Sequence, residues 1–148
     1  MVHAYGVRLW NYKSEKFTLS MKTGVRTYYE TFHPDRPNFV TLLGPMNGLG
    51  HNSIIFMIEC WLQIIINAIR HLLSRKAECV PIKEEKLSEM MKEWTRRVDK
   101  SVWAPSTCNS WYQQGDPSAR PWGLWPGTTT EYYWRTKNIP SENFTFYS

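Results

Sequence analysis

Residues 53–73 decide most of what this chain can become, because from Ser53 to Leu73 the sequence is almost continuously apolar. A helix of that length reaches about 30 Å, enough to cross a bilayer. Yet Glu59, Gln63, Asn67, Arg70 and Ser74 recur every three or four residues. They draw one narrow polar stripe along an otherwise apolar helix, and a carboxylate near mid-span is costly in lipid. The pattern therefore predicts a long helix buried in a larger protein, favoured over a membrane span.

The rest of the chain offers little to bury it. Phe39 to Leu43 is an apolar run bounded by Pro37 and Gly44, too short for a helix, and reads as a strand buried on both faces. A glycine-rich loop from Gly44 to His51 follows, and Asn52 or Ser53 is suited to cap the long helix. That helix should stop near Ser74-Arg75-Lys76, where cations suit a C-terminus. After the extended link Cys79-Val80-Pro81, a second helix is expected over Glu84 to Asp99, with Leu87, Met90, Met91, Trp94 and Val98 on one stripe. Val7 to Trp10, Phe17 to Met21 and Tyr132 to Trp134 read as short strands. Beyond Trp103 the pattern dissolves into Pro- and Gly-marked turns. One confident strand and two helices cannot cover the long helix, which implies a partner or further chain.

Charge excludes one class of function. The net charge is +5, but from Lys83 to Lys100 the cations alternate with Glu and Asp as on a solvated helix face. No basic stripe suggests nucleic acid. Cys60, Cys79 and Cys108 lie far apart with no C-x-x-C pair or zinc spacing, so no metal is expected. An odd number of cysteines without a secretory leader predicts reduced thiols and a cytoplasmic setting. His51 reads as a hydrogen-bonded loop residue more readily than as a ligand, since His3, His33 and His71 make no ligand pattern with it. No residue stands out as catalytic: there is no H-E-x-x-H and no G-x-S-x-G.

The loop carries the chemistry. Gly48 and Gly50 form G-x-G, but Ser53 stands where a third glycine would complete a dinucleotide fingerprint, and no acidic residue follows a next strand at the required distance. Two readings remain. One is a plain strand-to-helix turn. The other is a second-contact loop whose helix start, with free N–H groups and partial positive charge, points at a cofactor ring. The chain also holds eight Trp and eight Tyr. Those of the segments 108–112 and 124–130 pack over helices or, alternatively, stack on a planar ligand or a sugar.

Taken together, several motifs resemble one family. Pro37-Asn38-Phe39, Leu42-Leu43-Gly44-Pro45, Gly48-Leu49-Gly50-His51-Asn52-Ser53, Met57-Ile58-Glu59, Val102-Trp103, Cys108-Asn109-Ser110-Trp111-Tyr112, Trp125-Pro126-Gly127-Thr128 and Tyr133-Trp134 resemble, in order, flavin-dependent Baeyer–Villiger monooxygenases. The resemblance runs from Thr31 to Arg135, so residues 1–30 are a poorly matched lead-in and 31–148 a carboxyl-terminal part. It implies an α/β fold: the incomplete carboxyl-terminal portion of a flavoprotein with two Rossmann-like dinucleotide-binding domains. Such enzymes bind FAD, reduce it with NADPH, and insert an oxygen atom beside a ketone carbonyl to give an ester or lactone; related ones oxidise nitrogen or sulfur.

The same resemblance puts Gly44, Pro45, Asn47, Gly48, Leu49, Gly50, His51, Asn52 and Ser53 on the flavin side. Met46 would lie near the substrate, and Ser110, Trp111 and Tyr112 near NADPH. This sequence departs from the family where Met46-Asn47 stands for a common Asn-Thr and Trp61 for a usual Gln. It also contains no G-x-G-x-x-G for FAD or NADPH, and no F-x-G-x-x-x-H-x-x-x-[WY] signature. The chain alone is therefore expected to be inactive. Its expected partners are the small organic substrate of the complete enzyme, and either a missing amino-terminal part or a homologous flavoprotein. A non-catalytic module docking on such a flavoprotein is the alternative, and a single-span membrane peptide the weaker one.

Overall fold

The computed structural model describes residues 8–10, 16–18, 26–34, 36–44, 46, 53–104, 113, 121 and 124–147. Among them a short antiparallel ribbon, β1 (Arg8–Trp10) and β2 (Lys16–Thr18), sets Leu9 opposite Phe17. Three α-helices follow: α1 (Ile54–Ser74), α2 (Glu84–Val98) and α3 (Thr129–Thr136), with a 3-10 turn at Ser141–Asn143.

Each helix has a local reason to form. Ser53 is the extended residue at the head of α1. Glu84 and Glu85 open α2, while Arg96 and Arg97 close it, each sign matching the end of the dipole it faces. The Thr128 side chain accepts a hydrogen bond from the Glu131 N–H at 3.1 Å and caps α3. That cap overrules the terminal strand expected at 132–134. Once the chain turns helical, Thr129, Tyr132 and Thr136 share the buried face and Trp134 points outward.

The expected strand at 39–43 is also absent. Val40 makes a lone bridge to Phe32, and the flanking Asn38 and Leu43 are left-handed, with φ of 63° and 56°. Such residues curl the backbone out of a pleat. Instead of burial on both faces, Leu42 and Leu43 are exposed. The segment is pinned by a side chain: Asn38 Nδ2 donates to the Glu78 carbonyl at 2.6 Å, and its Oδ1 accepts from the Val80 N–H at 3.2 Å. The link after α1 is in turn bridged to the tail, Cys79 with Tyr147 and Ile82 with Phe144.

The core gathers the inward face of α1 (Met57, Cys60, Trp61, Ile64 and Ala68), Leu87, Trp94 and Val98 of α2, and Tyr132 of α3. Tyr28, Tyr29 and Phe32 complete it from the amino-terminal side, so the core takes in residues that the sequence leaves in the lead-in. Rings meet edge to face, as Tyr29 and Trp125 do with Tyr132 at 5.9 and 5.0 Å. Outside the core, Arg97 and Arg135 each reach both Glu93 and Glu131, tying α2 to α3. Arg135 holds the Glu93 carboxyl below the usual range, and Arg97 does the same for Glu131.

The long helix is buried on one side only, in line with the expectation that this chain alone cannot cover it. Ile55, Leu62, Ile66, Ile69 and Leu73 are exposed, and their spacing sets them on one stripe opposite the core. Truncating the two faces should therefore differ sharply. Leu87→Ala, at a fully buried position, is expected to cost about 2–5 kcal/mol in urea unfolding. Ile55→Ala, on the uncovered stripe, is expected to stay within about 0.5 kcal/mol of the parent.

Candidate functional site

Gly44, the first residue of the glycine-rich loop, lies against a tight turn at residues 28–32. The Tyr28 N–H donates to the Phe32 carbonyl at 2.9 Å, and the Phe32 N–H donates back at 3.1 Å. Between them Tyr29 and Glu30 are both left-handed, with φ of 44° and 58°, an uncommon state for side-chain-bearing residues. The conformation turns the Glu30 side chain inward, where it is 1% exposed.

Inside, Glu30 Oε2 lies 2.6 Å from the Tyr132 hydroxyl and 3.4 Å from Trp61 Nε1. The Trp61 N–H also reaches the Tyr132 oxygen at 2.9 Å, and the Tyr132 hydroxyl lies 3.1 Å from the Tyr29 carbonyl. Burial disfavours the carboxylate and pushes the Glu30 carboxyl up to about 8, against the hydrogen bonds from Tyr132 and Trp61. Burial first, then the Glu30 charge, raises the Tyr132 phenol well above its ordinary value.

Gly44 is fixed against this turn. The Thr41 hydroxyl donates to the Glu30 carbonyl at 3.0 Å, the Thr41 N–H donates to the Thr31 carbonyl at 3.0 Å, and His33 Nε2 lies 3.1 Å from Thr41 Oγ1. A Cβ on Gly44 would fall 2.6 Å from Thr41 Oγ1 and closer still to the Glu30 carbonyl oxygen. The glycine is therefore required by close approach of the chain to itself.

Of the residues assigned to the flavin side, Gly44 and Ser53 are described; Pro45, Asn47, Gly48, Leu49, Gly50, His51 and Asn52 lie outside the described residues. Met46 is left-handed at φ 74° and belongs to the buried core. Ser110, Trp111 and Tyr112 also lie outside the described residues. Ser53 is exposed at the head of α1, its side chain makes no capping hydrogen bond, and the first turn of α1 contains no acidic residue. The positive end of α1 is thus not offset by a first-turn carboxylate of its own, which suits an electron-rich group. Among the described residues no group of His, Cys, Asp or Glu could hold a metal ion. Glu59 is exposed on the helix surface, and Trp125 is taken up in packing. Sequence reasoning missed Glu30; the one signal was a lone carboxylate inside the aromatic run Tyr28-Tyr29-Glu30-Thr31-Phe32.

No family model matches the chain. It is 31% identical over 128 residues to a Baeyer-Villiger monooxygenase of Pseudomonas aeruginosa, a match covering 84% of this chain and 24% of that protein. It is 34% identical over 119 residues to the FAD-binding monooxygenase ktnD of Aspergillus niger, covering 75% and 19%. In three dimensions it matches an oxidised steroid monooxygenase bound to NADP with a TM-score of 0.72 and 21% identity, over 95% of this chain and 26% of that one. The fold is therefore shared with part of a flavin monooxygenase, and the chain spans about a quarter or less of the length of these proteins.

Because Gly44 touches the turn that carries Glu30, Gly44→Ala is expected to destabilise by about 1–3 kcal/mol through overpacking, measured by thermal or urea unfolding. An unchanged midpoint would mean that the turn and the loop are not in register as described.

Proposed function

The chain corresponds to a carboxyl-terminal segment of the flavin-dependent Baeyer–Villiger monooxygenase family, and from that premise we propose that it forms the ring-side wall of an FAD site in an NADPH-dependent monooxygenase. The start of α1 carries this reading. A long helix whose first turn holds no carboxylate, entered from a glycine-rich loop, favours a group that gains negative charge. The reduced flavin is such a group, and when bound it supplies the redox chemistry, with NADPH as the source of hydride.

On this reading Gly44, Pro45, Asn47, Gly48, Leu49, Gly50, His51, Asn52 and Ser53 lie along the flavin. Their backbone amides orient the ring and stabilise charge on its pyrimidine edge. Met46 closes the substrate side, where the family oxidises ketones to esters or lactones, or oxygenates nitrogen or sulfur. Ser110, Trp111 and Tyr112 approach NADPH. The diphosphates of both cofactors need glycine fingerprints that this sequence does not contain, so residues outside it hold them, within a fold of two dinucleotide-binding domains.

The bare stripe of α1 supports the same division of labour. Ile55, Leu62, Ile66, Ile69 and Leu73 form an apolar face that a dinucleotide-binding body would cover. The relatives are about four times or more the length of the matched segment, which supplies a body of the right kind. By length and composition α1 could cross a membrane, but its other face already packs in the core, and Asn67 Nδ2 donates to the Lys137 carbonyl at 3.0 Å. This favours a protein partner over lipid.

Two measurements test the reading. The purified chain with added FAD should consume no NADPH in the presence of a ketone. A chimera in which it replaces the matched segment of the Pseudomonas aeruginosa relative should purify yellow, with bound FAD and NADPH-dependent flavin reduction. A chimera that folds with an unchanged circular dichroism spectrum yet holds no flavin would sink the proposal.

A further inference from the structure

One buried acid plays no part in the proposed chemistry, and its burial among neutral partners constrains its state. The Tyr132 hydroxyl touches three groups: the Trp61 N–H, the Tyr29 carbonyl and Glu30 Oε2. An indole N–H can only donate and a carbonyl can only accept. The phenol oxygen accepts from Trp61, and its single proton can serve either Glu30 or the Tyr29 carbonyl, which also accepts from the Thr31 hydroxyl at 2.8 Å. The 2.6 Å contact is thus a hydrogen bond in either direction, and burial decides between them: Glu30 is 1% exposed and its side-chain partners are the neutral Tyr132 and Trp61. An ionised Glu30 would stand as a charge without a counter-ion in an apolar interior, whereas the acid donates to the phenol oxygen and frees the phenol proton for the Tyr29 carbonyl.

We propose that Glu30 is a positioning residue held as a carboxylic acid, and that its bond to Tyr132 locks the left-handed turn against which Gly44, the start of the glycine-rich loop, is packed. The lock reaches the loop through the backbone. The Glu30 carbonyl receives the Thr41 hydroxyl and lies against Gly44, so a shift of the turn moves Gly44 with it. The inference does not depend on the flavin reading, since it concerns the chain's own turn and loop.

The titratable groups around the site agree. Burial pushes the Glu30 carboxyl up to about 8. The titratable groups facing it are Tyr132 from α3 and Tyr29 in the turn itself, and Cys60 of α1 faces Tyr132 in turn. Burial raises all three, Cys60 to about 11. The nearby cation, Arg135, is bonded to Glu93 and Glu131. Between the ordinary carboxyl range and about 8, the folded chain keeps a proton that the unfolded chain has released. The contribution of Glu30 is therefore complete below about pH 4 and declines as pH rises towards 8, by up to about tenfold in the folding equilibrium per pH unit.

The experiment compares urea unfolding of the full chain and Glu30→Gln from pH 5 to 9, with hydrogen exchange of the peptide containing Thr41 and Gly44, corrected for intrinsic rates. Gln keeps a neutral donor in place. The parent should lose stability relative to Glu30→Gln with a slope approaching tenfold per pH unit between pH 5 and 7.5. Protection at Thr41, whose amide bonds to Thr31, should fall with pH in the parent and stay flat in the variant. Parallel pH profiles, or protection unaffected by Glu30→Gln, would overturn the proposal. Should that variant fail to fold, infrared spectra of the parent labelled with 13C-glutamate decide it: a protonated carboxyl band at pH 7 supports the assignment, and its absence refutes it.

Discussion

The hydroxyl of Tyr132 is the point at which the separate parts of this chain are tied. Its ring is fully buried, and its oxygen meets α1 through Trp61, the amino-terminal turn through the Tyr29 carbonyl, and the buried acid Glu30. Two of those partners lie more than a hundred residues away in sequence. A polar group so deep is stabilising only when every donor and acceptor around it is matched, because an unmatched one costs about 1–3 kcal/mol. The cluster is thus a specificity device as much as a source of stability: few other arrangements of α1, α3 and the turn would satisfy the same three partners.

That constraint explains why the helices were legible in the sequence and the middle of the chain was not. Helical periodicity placed α1 and α2 to within a residue or two, since their buried faces recur at 3.6 residues and their ends carry local signals. Residues 39–43 and 132–134 misled because apolar and aromatic runs fit a strand as well as other structures. A side-chain tether from Asn38 decided the first, and the Thr128 cap decided the second. The glycine-rich loop was legible as a strand-to-helix connection or a ligand-approaching segment, two readings that residue type alone does not separate. The close contact of Gly44 with the Glu30 carbonyl was not, because it depends on a turn whose two left-handed residues are Tyr and Glu rather than glycine.

The two faces of α1 divide the chain's structural and functional burdens. Its inner face, led by Met57, Trp61 and Ile64, is sealed. Its outer stripe exposes five large aliphatic side chains along the full length of the helix, more contiguous apolar surface than a solitary soluble chain usually leaves bare. In the relatives the matched segment makes up a quarter or less of the polypeptide.

The buried cluster also joins Trp61 of α1 and Glu30 of the turn through one phenol. Taken singly each would be unfavourable: an indole N–H without an acceptor, or a carboxyl in an apolar interior. Together they meet at the Tyr132 hydroxyl, which accepts from Trp61 and shares a 2.6 Å hydrogen bond with Glu30. Their effects should therefore be strongly non-additive, with loss of either partner leaving the other as the larger liability.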